Sequence, residues 1–115
     1  MWIFKAWTQK EFMPGVVIVI PAYNEEKSVA SVVREAMKYG KVIVVDDCSK
    51  DNTSREARKA GAIVVRHAKN GGLGSALRTG FAKALAMKAD VIVTIDADGQ
   101  HDPKEIRKFV SLVEK

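Results

Sequence analysis

Four short apolar runs alternate with stretches whose apolar positions recur at helical spacing, and this order predicts a parallel sheet with helices on its faces. The first run, Val16-Val17-Ile18-Val19-Ile20, is hydrophobic at every position and ends at Pro21. A strand with one wet face would alternate, so a continuous run predicts burial on both faces. Val42-Ile43-Val44-Val45, Ala62-Ile63-Val64-Val65 and Val91-Ile92-Val93-Thr94-Ile95 repeat the pattern as strands two, three and four.

The helical stretches follow. After strand one, Asn24 offers a cap, Glu25 and Glu26 suit a first turn, and Val29, Val32, Val33, Ala36 and Met37 form an inward stripe that stops at Gly40. A second helix is expected from about Asp51–Thr53 to Gly61, with a thin apolar face of Ala57 and Ala60. Asn70-Gly71-Gly72-Leu73-Gly74 leads into the strongest helical pattern, where Leu73, Ala76, Leu77, Gly80, Phe81, Ala84 and Leu85 share one stripe and predict a core helix. Asp102 as cap, Pro103 at the first position and Glu105 at the third predict a last helix with Ile106, Phe109, Val110 and Val113 facing inward. No fifth strand is expected before Lys115. Residues 1–14 hold Trp2, Ile3, Phe4, Trp7 and Phe12 yet no complete element. They are read as an N-terminal extension that packs on the domain, on a partner or at a membrane interface, ahead of one domain over 15–115, with Met13 as an alternative start.

Composition narrows the function classes. Apolar residues make up 47% and charged residues 29% of the 115, the balance of a folded globular domain. The net charge of +5 attracts anions, but the basic residues are scattered along helices without a basic, aromatic-laced run, so a phosphate-bearing small molecule is expected and nucleic acid is not. One cysteine, Cys48, cannot close an internal disulfide, which fits a reducing cytoplasmic compartment. No apolar run approaches the roughly 20 residues of a membrane-spanning helix, so any membrane contact is expected to be peripheral.

In a parallel sheet the residues just after each strand converge on one edge, and here they are acidic: Glu25, then Asp46 and Asp47, then Asp96 and Asp98. Gathered carboxylates repel one another, raising their pKa values, unless a cation or hydrogen-bond donors sit among them; a bound metal is the simplest remedy. Ala97 between Asp96 and Asp98 leaves room for a ligand, extended backbone puts both carboxylates on one side, and Gly99 permits a turn. Mg²⁺ or Mn²⁺ suits such oxygen ligands and shares a diphosphate with them, and Gln100 and His101 could add ligands. Two aspartates after a strand also simply solvate a turn and cap the next helix. Asp47 is placed to accept hydrogen bonds from a ribose or base edge, although Asp46 to Asp51 alone reads as an ordinary polar loop. Asn70 to Gly74 lacks the Lys-Ser/Thr ending of a P-loop and is a weak phosphate loop. Lys69 and Arg78 read as solvated, and Cys48 as a small spacer.

Taken together, Pro21-Ala22-Tyr23-Asn24-Glu25, Val45-Asp46-Asp47-Cys48-Ser49-Lys50-Asp51-Asn52-Thr53 and Asp96-Ala97-Asp98-Gly99-Gln100-His101 follow three strands in order. Over residues 16 to about 113 the chain resembles the family 2 glycosyltransferases with the GT-A fold, and within them the dolichyl-phosphate mannose synthase type. The resemblance implies a three-layer α/β/α, Rossmann-like half of a GT-A fold with a mostly parallel sheet. It implies that Pro21, Ala22, Tyr23, Glu25, Val45, Asp47, Asp96, Ala97 and Asp98 bind a nucleotide-diphospho-sugar, and that Asp96, Asp98 and Gln100 hold Mg²⁺ or Mn²⁺. It further implies sugar transfer to an acceptor, with a polyprenyl (dolichyl) phosphate as the first candidate.

The resemblance has two departures. Cys48 stands where the family commonly has glycine, and the acceptor-side strands and helices of the family are not found, so no catalytic base is assigned. An exposed edge on the last strand is therefore expected, covered by a second copy or a partner chain. The alternative reading is a nucleotide-binding remnant or subunit without transferase activity of its own. A response-regulator receiver, also doubly wound with an acidic Mg²⁺ pocket, fits badly, because its acidic positions after strands one and three hold Pro21-Ala22 and Arg66-His67 here.

Overall fold

The computed structural model describes residues 1–5, 15–100, 102 and 105–113. Trp7, Phe12, Met13, His101, Pro103 and Lys115 lie outside the described residues, as do the side chains of Phe109, Val110 and Val113. The described elements are β1 (Trp2–Lys5), β2 (Val16–Ala22), α1 (Val29–Ala36), β3 (Lys41–Asp46), α2 (Thr53–Ala60), β4 (Ile63–Arg66), α3 (Gly72–Ala86), β5 (Val91–Thr94) and α4 (Glu105–Val113). The strands form one sheet in the order β1-β5-β2-β3-β4. All pairs are parallel except β1 with β5.

The expected α/β architecture is present, and the continuous apolar runs explain it. Along β2 and β3 successive side chains point to opposite faces, and both faces are covered. Ile18, Ile20, Val42, Val44, Val91 and Val93 join Val29, Val33, Ala57 and Ile106 in one core beneath α1, α2 and α4. Val17, Val19, Ile43, Val45 and Ile92 pack with Ala76 and Ala84 in a second core beneath α3. No helix among the described residues is long and apolar enough to cross a membrane.

Four expectations are corrected. Residues 2–5 form a strand, β1, whose Trp2 to Lys5 pair with Thr94 to Val91, so the chain itself covers the edge of β5 that was expected to need a partner. The strand is short and on the rim, with Trp2 70% exposed, and so shows no buried run to reveal it. β2 continues through Pro21 to Ala22 instead of ending at Pro21. The Val19 carbonyl accepts from Ile95 N–H, so odd β2 residues turn toward β5, whose pairing stops at Val19; the missing N–H of Pro21 therefore breaks no ladder bond.

The first helix begins after Ser28 rather than at Asn24, and Met37 beyond its end is exposed. Asn24 takes a left-handed φ of 54° in a turn that re-aims the chain. Finally, α3 is less a core helix than its stripe promised. A β-carbon on Gly80 would lie 2.2 Å from Val19 Cγ1, so the helix axis comes too close to the sheet for any larger residue there. Only Ala76, Gly80 and Ala84, one turn apart, are buried, while Leu73 and Leu85 are pushed to the flanks and exposed.

Candidate nucleotide site

The carboxyl ends of β2, β3 and β5 share one edge, with β2 in the middle. Two loops there are stitched together side by side. Asn24 N–H donates to Ser49 Oγ at 2.8 Å, Asn24 Oδ1 accepts from Lys50 N–H at 2.8 Å, and Glu25 N–H donates to Thr53 Oγ1 at 2.9 Å. Glu26 N–H donates to Asp51 Oδ2 at 3.2 Å, and Glu26 Oε2 accepts from Asn52 N–H at 3.0 Å. The sequence reading missed this function of Ser49, read as part of an ordinary polar loop, and of Asn52 and Thr53, read as a helix start.

Asp46 and Asp47 are neighbours, yet alternation at the end of β3 sends them to different partners. Asp46 is fully buried and accepts from Ser49 N–H at 2.8 Å, from Ser54 Oγ and from Arg66 at 3.0 Å. Asp47, 4% exposed, accepts on Oδ1 from His67 Nδ1 and Gly71 N–H and on Oδ2 from Gly72 N–H, each at 2.8 Å. The first residues of α3 thus have their N–H groups capped by a carboxylate from another strand, since Gly71 has no capping side chain. The two glycine N–H groups are engaged by Asp47, so this loop does not present them to a phosphate.

Repulsion was expected to raise the carboxyl pKa values unless a cation or hydrogen-bond donors sat among them, and for Asp46 and Asp47 the donors are present. Burial pushes Asp46 up, but hydrogen bonds from Ser49 and Ser54 and the charge of Arg66 outweigh it and hold the group below its ordinary value. For Asp47 burial is likewise outweighed, by Gly71, His67 and Gly72, and for Asp51 by Thr53 and Glu26 N–H. Protein donors make the buried Asp46 and Asp47 tolerable.

Pro21, Ala22, Tyr23 and Asp47 line one open cleft together with Gly72, Leu73 and Ala76. Tyr23 and Leu73 are exposed at its mouth. Glu25 and Val45 do not line it. Val45 is fully buried under α3, and Glu25 is half-buried, its carboxylate accepting from Ser28 Oγ at 3.2 Å. Asp96, Ala97 and Asp98 stand after β5, on the other side of the β2 end, outside the cleft lining. Asp96 and Asp98 are exposed around a buried Ala97. Ser28 Oγ donates to the Ala97 carbonyl at 2.6 Å, tying that loop to the start of α1, and Gly99, at a φ of 81°, turns the chain so that Gln100 N–H donates to Asp98 Oδ1 at 2.9 Å.

No group of three or more His, Cys, Asp or Glu side chains among the described residues is arranged to hold a metal. A pair of exposed carboxylates nonetheless suits Mg²⁺ or Mn²⁺, which commonly takes one or two protein carboxylates and completes its shell with water and substrate phosphate. Lys69 and Arg78 are exposed, as expected.

Comparison with known proteins agrees with this layout. The chain is 48% identical over 100 residues to an uncharacterized protein of Methanocaldococcus jannaschii, covering 85% of this chain and 41% of that one. It is 39% identical over 114 residues to a UDP-N-acetylglucosamine--dolichyl-phosphate N-acetylglucosaminyltransferase of Methanococcus voltae, covering 83% of this chain and 45% of that one. Among solved structures, glucosyl-3-phosphoglycerate synthase of Mycobacterium tuberculosis, crystallised with Mn²⁺, uridine diphosphate and phosphoglyceric acid, superposes with a TM-score of 0.72 at 26% identity, covering 89% of this chain and 39% of that one. The chain therefore spans less than half the length of these relatives. The architecture is that of the GT-A glycosyltransferases, and the sequence model of glycosyl transferase family 2 matches residues 17–115. Fold, strand-end motifs and sequence kinship converge: this chain belongs to glycosyl transferase family 2.

Proposed function

We propose that residues 15–115 are the nucleotide-sugar-binding domain of a glycosyltransferase that moves a sugar from a nucleotide-diphospho-sugar to an acceptor, a polyprenyl (dolichyl) phosphate. One observation carries the reading. The cleft lined by Pro21, Ala22, Tyr23 and Asp47 opens at the end of β2 against α3, on the sheet edge from which the exposed Asp96–Asp98 loop of β5 also leaves. A base lies against Tyr23, Pro21 and Ala22 keep the wall low, and Asp47 accepts from the base edge or a ribose hydroxyl. Glu25 and Val45 act from behind, through the loop and strand they anchor.

Asp96 and Asp98, with Gln100 beside them, would hold Mg²⁺ or Mn²⁺, and the buried Ala97 between them anchors their loop to the core. When bound, the metal offsets the negative charge that develops on the departing diphosphate. The Methanococcus relative named for a dolichyl-phosphate acceptor and the Mn²⁺–uridine diphosphate complex of the mycobacterial synthase support the donor, metal and acceptor classes. A lipid-phosphate acceptor fits a protein at the cytoplasmic side of a membrane, peripheral to it.

Calorimetric titration of uridine or guanosine diphosphate with Mn²⁺ tests the site. Binding is expected for one of them, and Asp98→Asn is expected to weaken the metal-dependent part by at least about tenfold. An absence of heat at millimolar nucleotide would refute the donor site. The span of less than half the relatives' length favours, as a second reading, a nucleotide-binding subunit without turnover of its own. Release of nucleoside diphosphate from a nucleotide sugar on adding polyprenyl phosphate separates the two.

A further inference from the structure

His67 belongs to the Asp47 cluster but to none of the three strand-end motifs. It follows β4, is mostly buried, and touches both sides of the site. Its Nδ1 lies 2.8 Å from Asp47 Oδ1 and its Nε2 lies 2.7 Å from Thr79 Oγ1 on α3. Its own N–H donates to the Asp46 carbonyl at 2.8 Å, which anchors its backbone to β3. Asp47 already accepts two glycine N–H groups, so the carboxylate is an acceptor and Nδ1 must donate to it. In the neutral ring Nε2 then accepts from the Thr79 hydroxyl.

A carboxylate offers about four lone-pair positions. His67, Gly71 and Gly72 take three of them, two on Oδ1 and one on Oδ2. The acceptor position left on Oδ2 belongs to a side chain that lines the cleft. Gly72, with a φ of 86°, holds a conformation in which two successive N–H groups reach one carboxylate, and that loop also walls the cleft. Among the described residues, His67 is the donor that meets this carboxylate from the β4 side, opposite the glycines.

We propose that His67 is a positioning residue for nucleotide binding: braced against Thr79, it fixes the Asp47 carboxylate so that the last acceptor position on Oδ2 meets the nucleotide's hydrogen-bond donor. The inference rests on the nucleotide site proposed above and assigns its geometry to a residue outside the motifs.

The test measures uridine and guanosine diphosphate affinity with Mn²⁺ by calorimetry for the wild type, His67→Ala, His67→Asn and Thr79→Val, each checked for a cooperative thermal transition. An asparagine amide nitrogen replaces Nδ1, so His67→Asn is expected to keep affinity within about threefold, whereas His67→Ala loses about tenfold and Thr79→Val falls between. Nitrogen-15 NMR of the wild-type ring is expected to show the proton on Nδ1, and a proton on Nε2 alone would overturn the arrangement even if His67→Ala did not fold. A wild type that binds while His67→Ala binds equally well overturns the role of His67 and leaves the nucleotide site standing. A wild type that binds neither nucleotide overturns both.

Discussion

Cys48 holds a φ of 68°, the left-handed region that costs an L residue about 1–2 kcal/mol, and its thiol offers only a 3.4 Å contact to the Ala68 carbonyl in return. The resemblance stated from the sequence expects glycine there, and this left-handed φ is one that glycine adopts freely. Glycine removes the strain but enlarges the unfolded ensemble, so Cys48→Gly is expected to raise stability by no more than about 1 kcal/mol in urea unfolding. A loss of that size would show that the thiol contact matters more than the backbone strain. The same scale separates two aspartates that look alike on paper. Alternation along a strand already implies that Asp46 and Asp47 part company. That Arg66 and Ser54 receive one while His67 and the glycine N–H groups receive the other depends on donors 8 to 25 residues away.

Helix α1 shows how an element serves a site it does not line. Ser28 is its N-cap, but the hydroxyl is not spent on the helix; it donates to the Ala97 carbonyl between Asp96 and Asp98. Ser28→Ala is expected to cost about 1 kcal/mol of stability and to weaken Mn²⁺ affinity in the presence of nucleotide by roughly threefold to tenfold, with Ser28→Thr restoring it. Unchanged Mn²⁺ affinity, read from the electron paramagnetic resonance of free metal, would detach Ser28 from the metal loop. The thin apolar face of α2 has a similar explanation. Thr53 and Ser54 are buried in it, held by Asp51 and Asp46, so hydrogen bonds replace the missing hydrophobic stripe.

For the whole molecule, the lowered carboxyls of Asp46, Asp47 and Asp51 set the acid limit. A group whose folded pKa lies below its unfolded value stabilises the fold fully above about pH 4, and that stabilisation is lost as pH falls toward the folded pKa. Urea midpoints are therefore expected to drop steeply below about pH 4, and Asp51→Asn, which removes one such group, should make that drop shallower. An equally steep drop in the variant would assign the acid limit to other groups. At this scale β1 also matters. It turns the rim strand expected at β5 into an interior one, leaving β1 and β4 as the outer strands.

What the chain's own pattern determined is the set of apolar strands β2 to β5, their parallel pairing and the acidic residues at the ends of β3 and β5. Continuous apolar runs and helical periods are local properties, readable wherever burial is two-sided. The tertiary structure alone decided that Trp2–Lys5 pairs with β5, that Gly80 lets α3 lie close to the sheet with Leu73 and Leu85 exposed, and that His67 meets Asp47. Each of these is a contact between residues far apart in sequence, and its energy exists only once strand order and sheet distance have brought the partners together.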